Sequence, residues 1–116
     1  MKSSTSFVCG TSDHPLIYQT IGDALDHAVE QWGEKEAIVV CHQGIRWTYR
    51  QLGAAIDAFA AGLLALDLQP GDRIGIWSPN NIEWVIAQFA TAKAGLILVN
   101  INTAYRKSEL ISPFRL

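Results

Sequence analysis

Apolar and polar positions between Gln69 and Asn102 change their spacing twice, and the rest of the chain is organised around that stretch. Over Arg73–Trp77, Ile74 and Ile76 fall on one face, the period of a strand. Pro79 and Asn80 break that strand and start a helix, with Asn80 as N-cap and Glu83 three residues on, a variant of the capping box. Ile82, Val85, Ile86 and Phe89 then recur at helical spacing, so one face of the helix is apolar. Lys93 sits in the last turn, where a cation suits the macrodipole, and Gly95 supplies the stop. Leu96–Val99 is a continuous apolar run, the pattern of a strand covered on both faces. Together these elements predict a βαβ unit with parallel strands and a right-handed crossover.

Upstream, Thr20 with Asp23 makes a capping-box pattern at the start of a first helix. Its stripe is Ile21, Leu25, Ala28, Val29 and Trp32, and Gly33 ends it. Ala37–Val40 is a short β-branched run, His42-Gln43-Gly44 is a turn, and Ile45–Thr48 returns as a second strand, which predicts a hairpin. Thr48 also caps the next helix, with Gln51 at its third position. Leu52, Ala55, Ile56, Phe59, Leu63 and Leu66 form its stripe, and Pro70-Gly71-Asp72 turns the chain into the βαβ unit. Pro15–Gln19 is expected to be extended and to pack onto a later element.

After Asn102 the pattern weakens. Arg106–Leu110 begins a helical pattern that Pro113 interrupts. A parallel strand needs cover on both faces, and the residues after Leu110 are too few to cover the last one. The expected fold class is therefore α/β, with a β-hairpin, a βαβ unit and an incomplete sheet, resembling the front of a larger domain.

Composition narrows the setting. The chain has 116 residues, 49% of them apolar and 17% charged, which is one small globular domain at most. Its net charge of −2, with the basic residues spread along the chain, gives no footprint for nucleic acid. Cys9 and Cys41 are too few for a disulfide framework and fit free thiols in a reducing cytoplasm. No signal-peptide pattern follows Lys2, and the longest apolar run, Ala58–Leu66, is far short of the roughly 20 residues a membrane span needs.

Candidate chemistry is sparse. The leader, Ser3-Ser4-Thr5-Ser6 with Gly10-Thr11-Ser12, has one glycine and no lysine following it before Lys35, so it lacks what a phosphate loop needs. Ser12, Asp13 and His14 are triad residue types, but neighbours in a tail do not converge as nucleophile, base and orienter. Cys9, His14, Cys41 and His42 match no zinc spacing. Ser78-Pro79-Asn80-Asn81 lies between a strand's carboxyl end and a helix N-terminus, where open α/β sheets bind ligands. It has no glycine and no adjacent cation, so capping explains it better. Trp32, Trp47, Trp77 and Trp84 are expected to pack; they are not expected to stack on bases. No residue is assigned as catalytic, cofactor-binding or metal-binding.

A resemblance adds what residue patterns do not. Trp47-Thr48-Tyr49 with Leu52, Pro70-Gly71-Asp72-Arg73, and Ser78-Pro79-Asn80 with Glu83-Trp84 stand in the order and spacing of one family. Ala92-Lys93-Ala94-Gly95, Val99-Asn100-Ile101-Asn102, Ala104-Tyr105-Arg106 and Glu109-Leu110 complete the set. On these, the chain resembles the amino-terminal part of the adenylate-forming (AMP-binding) ligases, and most closely the medium- or long-chain acyl-CoA synthetases. The match runs from about Thr20 to Leu110, which implies a leader over 1–19, a partial ligase domain over 20–110 and a divergent tail over 111–116.

The resemblance implies that the parent reaction couples a carboxylic acid to ATP and passes the acyl group from the adenylate to coenzyme A. ATP, magnesium and coenzyme A are then cofactors of the full-length family, with none expected for this chain. The family's phosphate loop, magnesium Glu, ribose Asp and mobile-domain Lys lie beyond the stretch that matches. Two departures stand out: Thr103 replaces the family's usual Pro, and Ile111–Leu116 abandons the helix that follows Glu109-Leu110. These imply a fragment that does not catalyse alone. The alternatives are a free-standing interaction module that pairs through uncovered sheet faces, or one half of a split synthetase.

Overall fold

A computed structural model describes residue 10 and residues 13–105. Most of the leader, the Arg106–Leu110 helical pattern and the tail 111–116 lie outside the described residues. The element order is α1 (Ile21–Trp32), β1 (Glu36–Val40), a 3-10 turn (Cys41–Gln43), β2 (Ile45–Thr48), α2 (Tyr49–Leu64), β3 (Arg73–Ile76), α3 (Ile82–Lys93) and β4 (Ile97–Asn100). This is the α/β order read from the sequence.

Local signals set most boundaries. Thr20 and Thr48 both make reciprocal capping boxes, with Asp23 and Gln51 respectively. Each box satisfies two of the backbone N–H groups that a helix start leaves without partners. At the other end of α3, Gly95 takes φ 72°, and Leu96 N–H donates to Thr91 O at 2.8 Å. That is a Schellman ending, and it turns the chain directly into β4.

The N-terminus of α3 departs from expectation by one residue. Asn81, and not Asn80, is the cap: its side chain accepts from Trp84 N–H. Pro79 and Asn80 are both spent on leaving the strand, so the capping position falls one residue later. Lys93 also departs. Its ammonium donates to Asp26 of α1 and Asp57 of α2, at 2.6 and 2.5 Å.

β1 and β2 form an antiparallel hairpin with a register shift between Glu36 and Ile38, and β3 and β4 pair in parallel. These are two separate two-stranded sheets. The three helices pack on one another, the hairpin lies against α2, and α3 lies across β3 and β4. Leu25, Leu52, Ile56, Leu63, Ile82 and Leu96 are central to the shared core. Ile56 is completely buried, which stabilises by roughly 1.5–3 kcal/mol relative to exposure.

The buried faces are rotated from the predicted stripes. α2 buries Leu52, Gly53, Ile56, Ala60 and Leu63, leaving Phe59 outward, and it ends at Leu64, so Leu66 falls past it and is exposed. α3 buries Ile82, Ala87, Ala90 and Thr91, while Val85, Ile86 and Phe89 are half-buried around that seam. A helix touched on several sides has no single stripe, and its small residues take the closest approach. Thr91 is tolerated there because its hydroxyl donates back to Ala87 O at 2.8 Å.

One expectation on cover fails and one holds. Among the described residues, nothing covers Pro15–Gln19, with Leu16, Ile17 and Tyr18 all about 80% exposed or more (80%, 79% and 95%). The last strand is left without full cover, as the incomplete sheet implied: Ile97 is 47% exposed, and among the described residues α3 is the main element over the pair.

Candidate functional site

The carboxyl ends of β3 and β4 and the N-terminus of α3 meet at Ser78–Asn81, the position where an open α/β sheet would take a ligand. Asn81 organises the loop. Its Nδ2 donates to Ser78 Oγ at 2.9 Å and its Oδ1 accepts from Trp84 N–H at 2.9 Å. Ser78 Oγ donates in turn to Pro79 O at 3.1 Å.

The next donor of α3 is taken from a distance. Gln43, in the hairpin turn, accepts from Ile82 N–H through Oε1 at 2.8 Å. Its Nε2 donates to Glu83 Oε2, also at 2.8 Å. That hydrogen bond holds the Glu83 carboxyl below its ordinary value, helped by Glu83's own backbone N–H and slightly by His42. Beside the loop lies an open groove of about 300 Å³ lined by Ile38–His42, Asn80, Asn81 and Val85.

The geometry does not fit a nucleotide phosphate. The Ile82 and Trp84 amides already point at Gln43 and Asn81, and Glu83 adds negative charge at the same helix end. The other sequence candidates do not converge. Among the described residues, no group of three or more His, Cys, Asp or Glu side chains is placed to hold a metal ion. Cys9, Ser3–Ser6 and Ser12 lie outside the described residues. Cys41 is an exposed free thiol.

The tryptophans divide. Trp47 packs against the core, and Trp32 meets Tyr49 at a tilted 6.1 Å between ring centroids. Trp77 is 55% exposed, so the expectation that all four pack fails there. Among the described residues, no helix is long and apolar enough to cross a membrane.

Two polar clusters had no signal in the sequence. Gln43 reaches α3 across about forty residues (39 and 40 positions to its two partners), and Lys93 reaches Asp26 across 67. Partial burial pulls the Lys93 ammonium down, but the hydrogen bonds and charges of Asp26 and Asp57 outweigh it and raise its pKa above the ordinary value.

This arrangement, a hairpin and a βαβ unit around a three-helix layer, is a structural element of a ligase family. Residues 25–114 match the family described as AMP-binding enzyme, and the chain belongs to that family. Over 107 residues it is 48% identical to the medium-chain acyl-CoA ligase ACSF2, mitochondrial, of Danio rerio, covering 92% of this chain and 18% of that protein. The mouse (Mus musculus) protein of the same name is 44% identical over 105 residues, covering 90% of this chain and 17% of that one. Among solved structures, a Mycobacterium tuberculosis fatty acyl CoA synthetase superposes with a TM-score of 0.75 at 31% identity, over 78% of this chain and 18% of its own. The chain thus spans under a fifth of the length of the curated relatives it matches. Its α/β fold is that of the amino-terminal domain of adenylate-forming enzymes, with the sheet incomplete.

Proposed function

We propose that the chain supplies an amino-terminal scaffold of an acyl-CoA synthetase and performs no step of the reaction alone. The parent reaction joins a fatty acid, ATP and coenzyme A to give acyl-CoA, AMP and pyrophosphate. One observation carries this reading: a clear family match that spans 17–18% of the relatives' length, over strands left partly uncovered. Residues 20–110 are taken as the family unit, with 1–19 as leader and 111–116 as a divergent tail. ATP, magnesium and coenzyme A are the cofactors of the full-length family, and this reading assigns them to the rest of such an enzyme.

ATP–pyrophosphate exchange with medium- and long-chain fatty acids tests the reading. No exchange is expected from the purified chain, and robust exchange refutes it. Restoration of exchange by adding the separately produced remainder of a relative supports a split-synthetase arrangement.

A second reading is favoured by the exposed apolar residues Trp77 and Ile97 at the β3–β4 layer. It makes the chain a free-standing module that pairs with itself through that layer. Light scattering after size exclusion separates the two: a discrete dimer favours the module, and a soft aggregate favours the scaffold.

The free thiol of Cys41 suits a reducing compartment, and the cytoplasm is the location proposed. The ACSF2 relatives carry "mitochondrial" in their names. Imaging of the tagged full chain decides between the two locations.

A further inference from the structure

We propose that Gln43 is a latch that locks the tip of the β1–β2 hairpin onto the first turn of α3, so that the two open and close together. This goes beyond the scaffold role and does not depend on it. The hairpin is held differently at its two ends. At the base it is stapled by backbone hydrogen bonds, Tyr49 N–H to Lys35 O and Arg50 N–H to Gly33 O, each at 3.0 Å. Arg50 and Glu34 add an ion pair at 2.7 Å there. Its strands lie against α2, with Ile38, Val40, Ile45 and Trp47 packed on the shared core.

At the tip, among the described residues, both hydrogen bonds that join the hairpin to α3 come from the one carboxamide of Gln43. The tip is built to pivot. Gly44 sits at φ 66° with open space beside it, and it ends the 3-10 turn Cys41–Gln43 with a Gly44 N–H to Cys41 O bond at 3.1 Å. A two-stranded hairpin is marginal without partners, so its free end follows whatever holds it.

Opening costs both sides at once. When Gln43 leaves, Ile82 N–H loses its acceptor and Glu83 loses its donor, so the first turn of α3 keeps the Asn81 cap on Trp84 N–H but loses its tie to the hairpin in the same event. The groove between Ile38–His42 and Asn80–Asn81 widens with it, because those residues form its two walls. The carboxamide is suited to the task, since it offers one acceptor and one donor to partners that need one of each.

Amide hydrogen exchange on the full chain tests this. Gln43→Ala is expected to speed exchange at Ile82 and Glu83 and at Gly44 and Ile45 by about tenfold, the scale of one or two lost hydrogen bonds. Amides in the middle of α2, Ile56–Ala60, are expected to keep wild-type rates. Gln43→Glu is expected to open the latch at least as far, by placing two carboxylates together. The exchanged pair Gln43→Glu with Glu83→Gln restores acceptor and donor and is expected to return protection to within about threefold of wild type. Unchanged exchange at Ile82 in Gln43→Ala overturns the proposal. So does an equal acceleration in α2, which marks global destabilisation, and so does failure of the exchanged pair to restore protection.

Discussion

Replacing Lys93 by Met removes one charge and leaves the aliphatic stem, so it isolates what the ammonium contributes to joining the three helices. The side chain is 18% exposed, whereas Asp26 and Asp57 are about half exposed (52% and 59%), so solvent screens both pairs. Exposed pairs of this kind contribute about 0.2–1 kcal/mol each, which sets the expected loss for Lys93→Met at about 1–2 kcal/mol once the facing aspartates are left without a counter-charge. Lys93→Ala also removes stem that lies over α1, adding about 1 kcal/mol. Gly22 checks that contact independently. A Cβ there would stand 3.1 Å from Lys93 Cγ, so Gly22→Ala strains the wild type and offsets its helix-propensity gain. In the Lys93→Ala background the obstruction is gone, and the same change is expected to stabilise by roughly 0.5–1 kcal/mol. Urea unfolding followed by far-ultraviolet circular dichroism, at protein concentrations low enough to prevent association, reads all four variants. The gap between wild type and Lys93→Met is expected to shrink in 1 M salt, where the Debye length is about 3 Å. The raised pKa fixes the alkaline sign. The contribution is full below the ordinary value of 10.5 and is lost as pH climbs through the higher folded-state value. Equal midpoints for wild type and Lys93→Met refute the clamp, as does a Gly22→Ala effect that ignores residue 93.

Three further outcomes follow from the same geometry. Asn81→Ala is expected to cost about 1 kcal/mol through the lost Trp84 cap, while Asn80→Ala stays within about 0.5 kcal/mol; parallel urea curves distinguish them, and reversed effects would return the cap to Asn80. Ile56→Ala, at a completely buried position, is expected to cost about 2–5 kcal/mol and to leave the chain largely unfolded by circular dichroism, whereas Phe59→Ala, 45% exposed, costs far less. Glu83 is expected to titrate below its ordinary 4.5, so the Gln43 hydrogen bond supports folding above that value and is lost as pH falls through the folded-state one. Carbon-detected NMR of the carboxyl group reads this, and Gln43→Ala is expected to move the titration up.

Local grammar was legible in the chain, and long-range chemistry was not. The capping boxes at Thr20 and Thr48, the hairpin turn at His42–Gly44 and the glycine stop at Gly95 each involve residues a few positions apart, and all four are formed. Asn80 and Asn81 offered the same side chain at adjacent positions, so spacing alone did not choose between them. The stripes were harder still. Hydrophobicity marked Phe59, Leu66 and Phe89, but where several elements crowd one helix the closest contacts go to Gly53, Ala60, Ala87 and Ala90, residues that carry little periodic signal. Gln43 and Lys93 are ordinary surface residue types, and only the fold brings them to Ile82, Glu83, Asp26 and Asp57. The family, in contrast, was legible because Pro70–Arg73, Ser78–Asn80 and Ala92–Gly95 keep their mutual spacing.

The small residues on the buried side of α3 set an asymmetry in what the chain tolerates. Ala90 has no exposed surface and Ala87 and Ala94 only 8% each, so one added methylene along that seam has nowhere to go and costs about 1–3 kcal/mol. The exposed positions Leu16, Ile17 and Leu66 meet no such restriction among the described residues. In a library of random substitutions, enlargement along α3 should be purged first, and the surviving variation should trace the outline of the surfaces that nothing here covers.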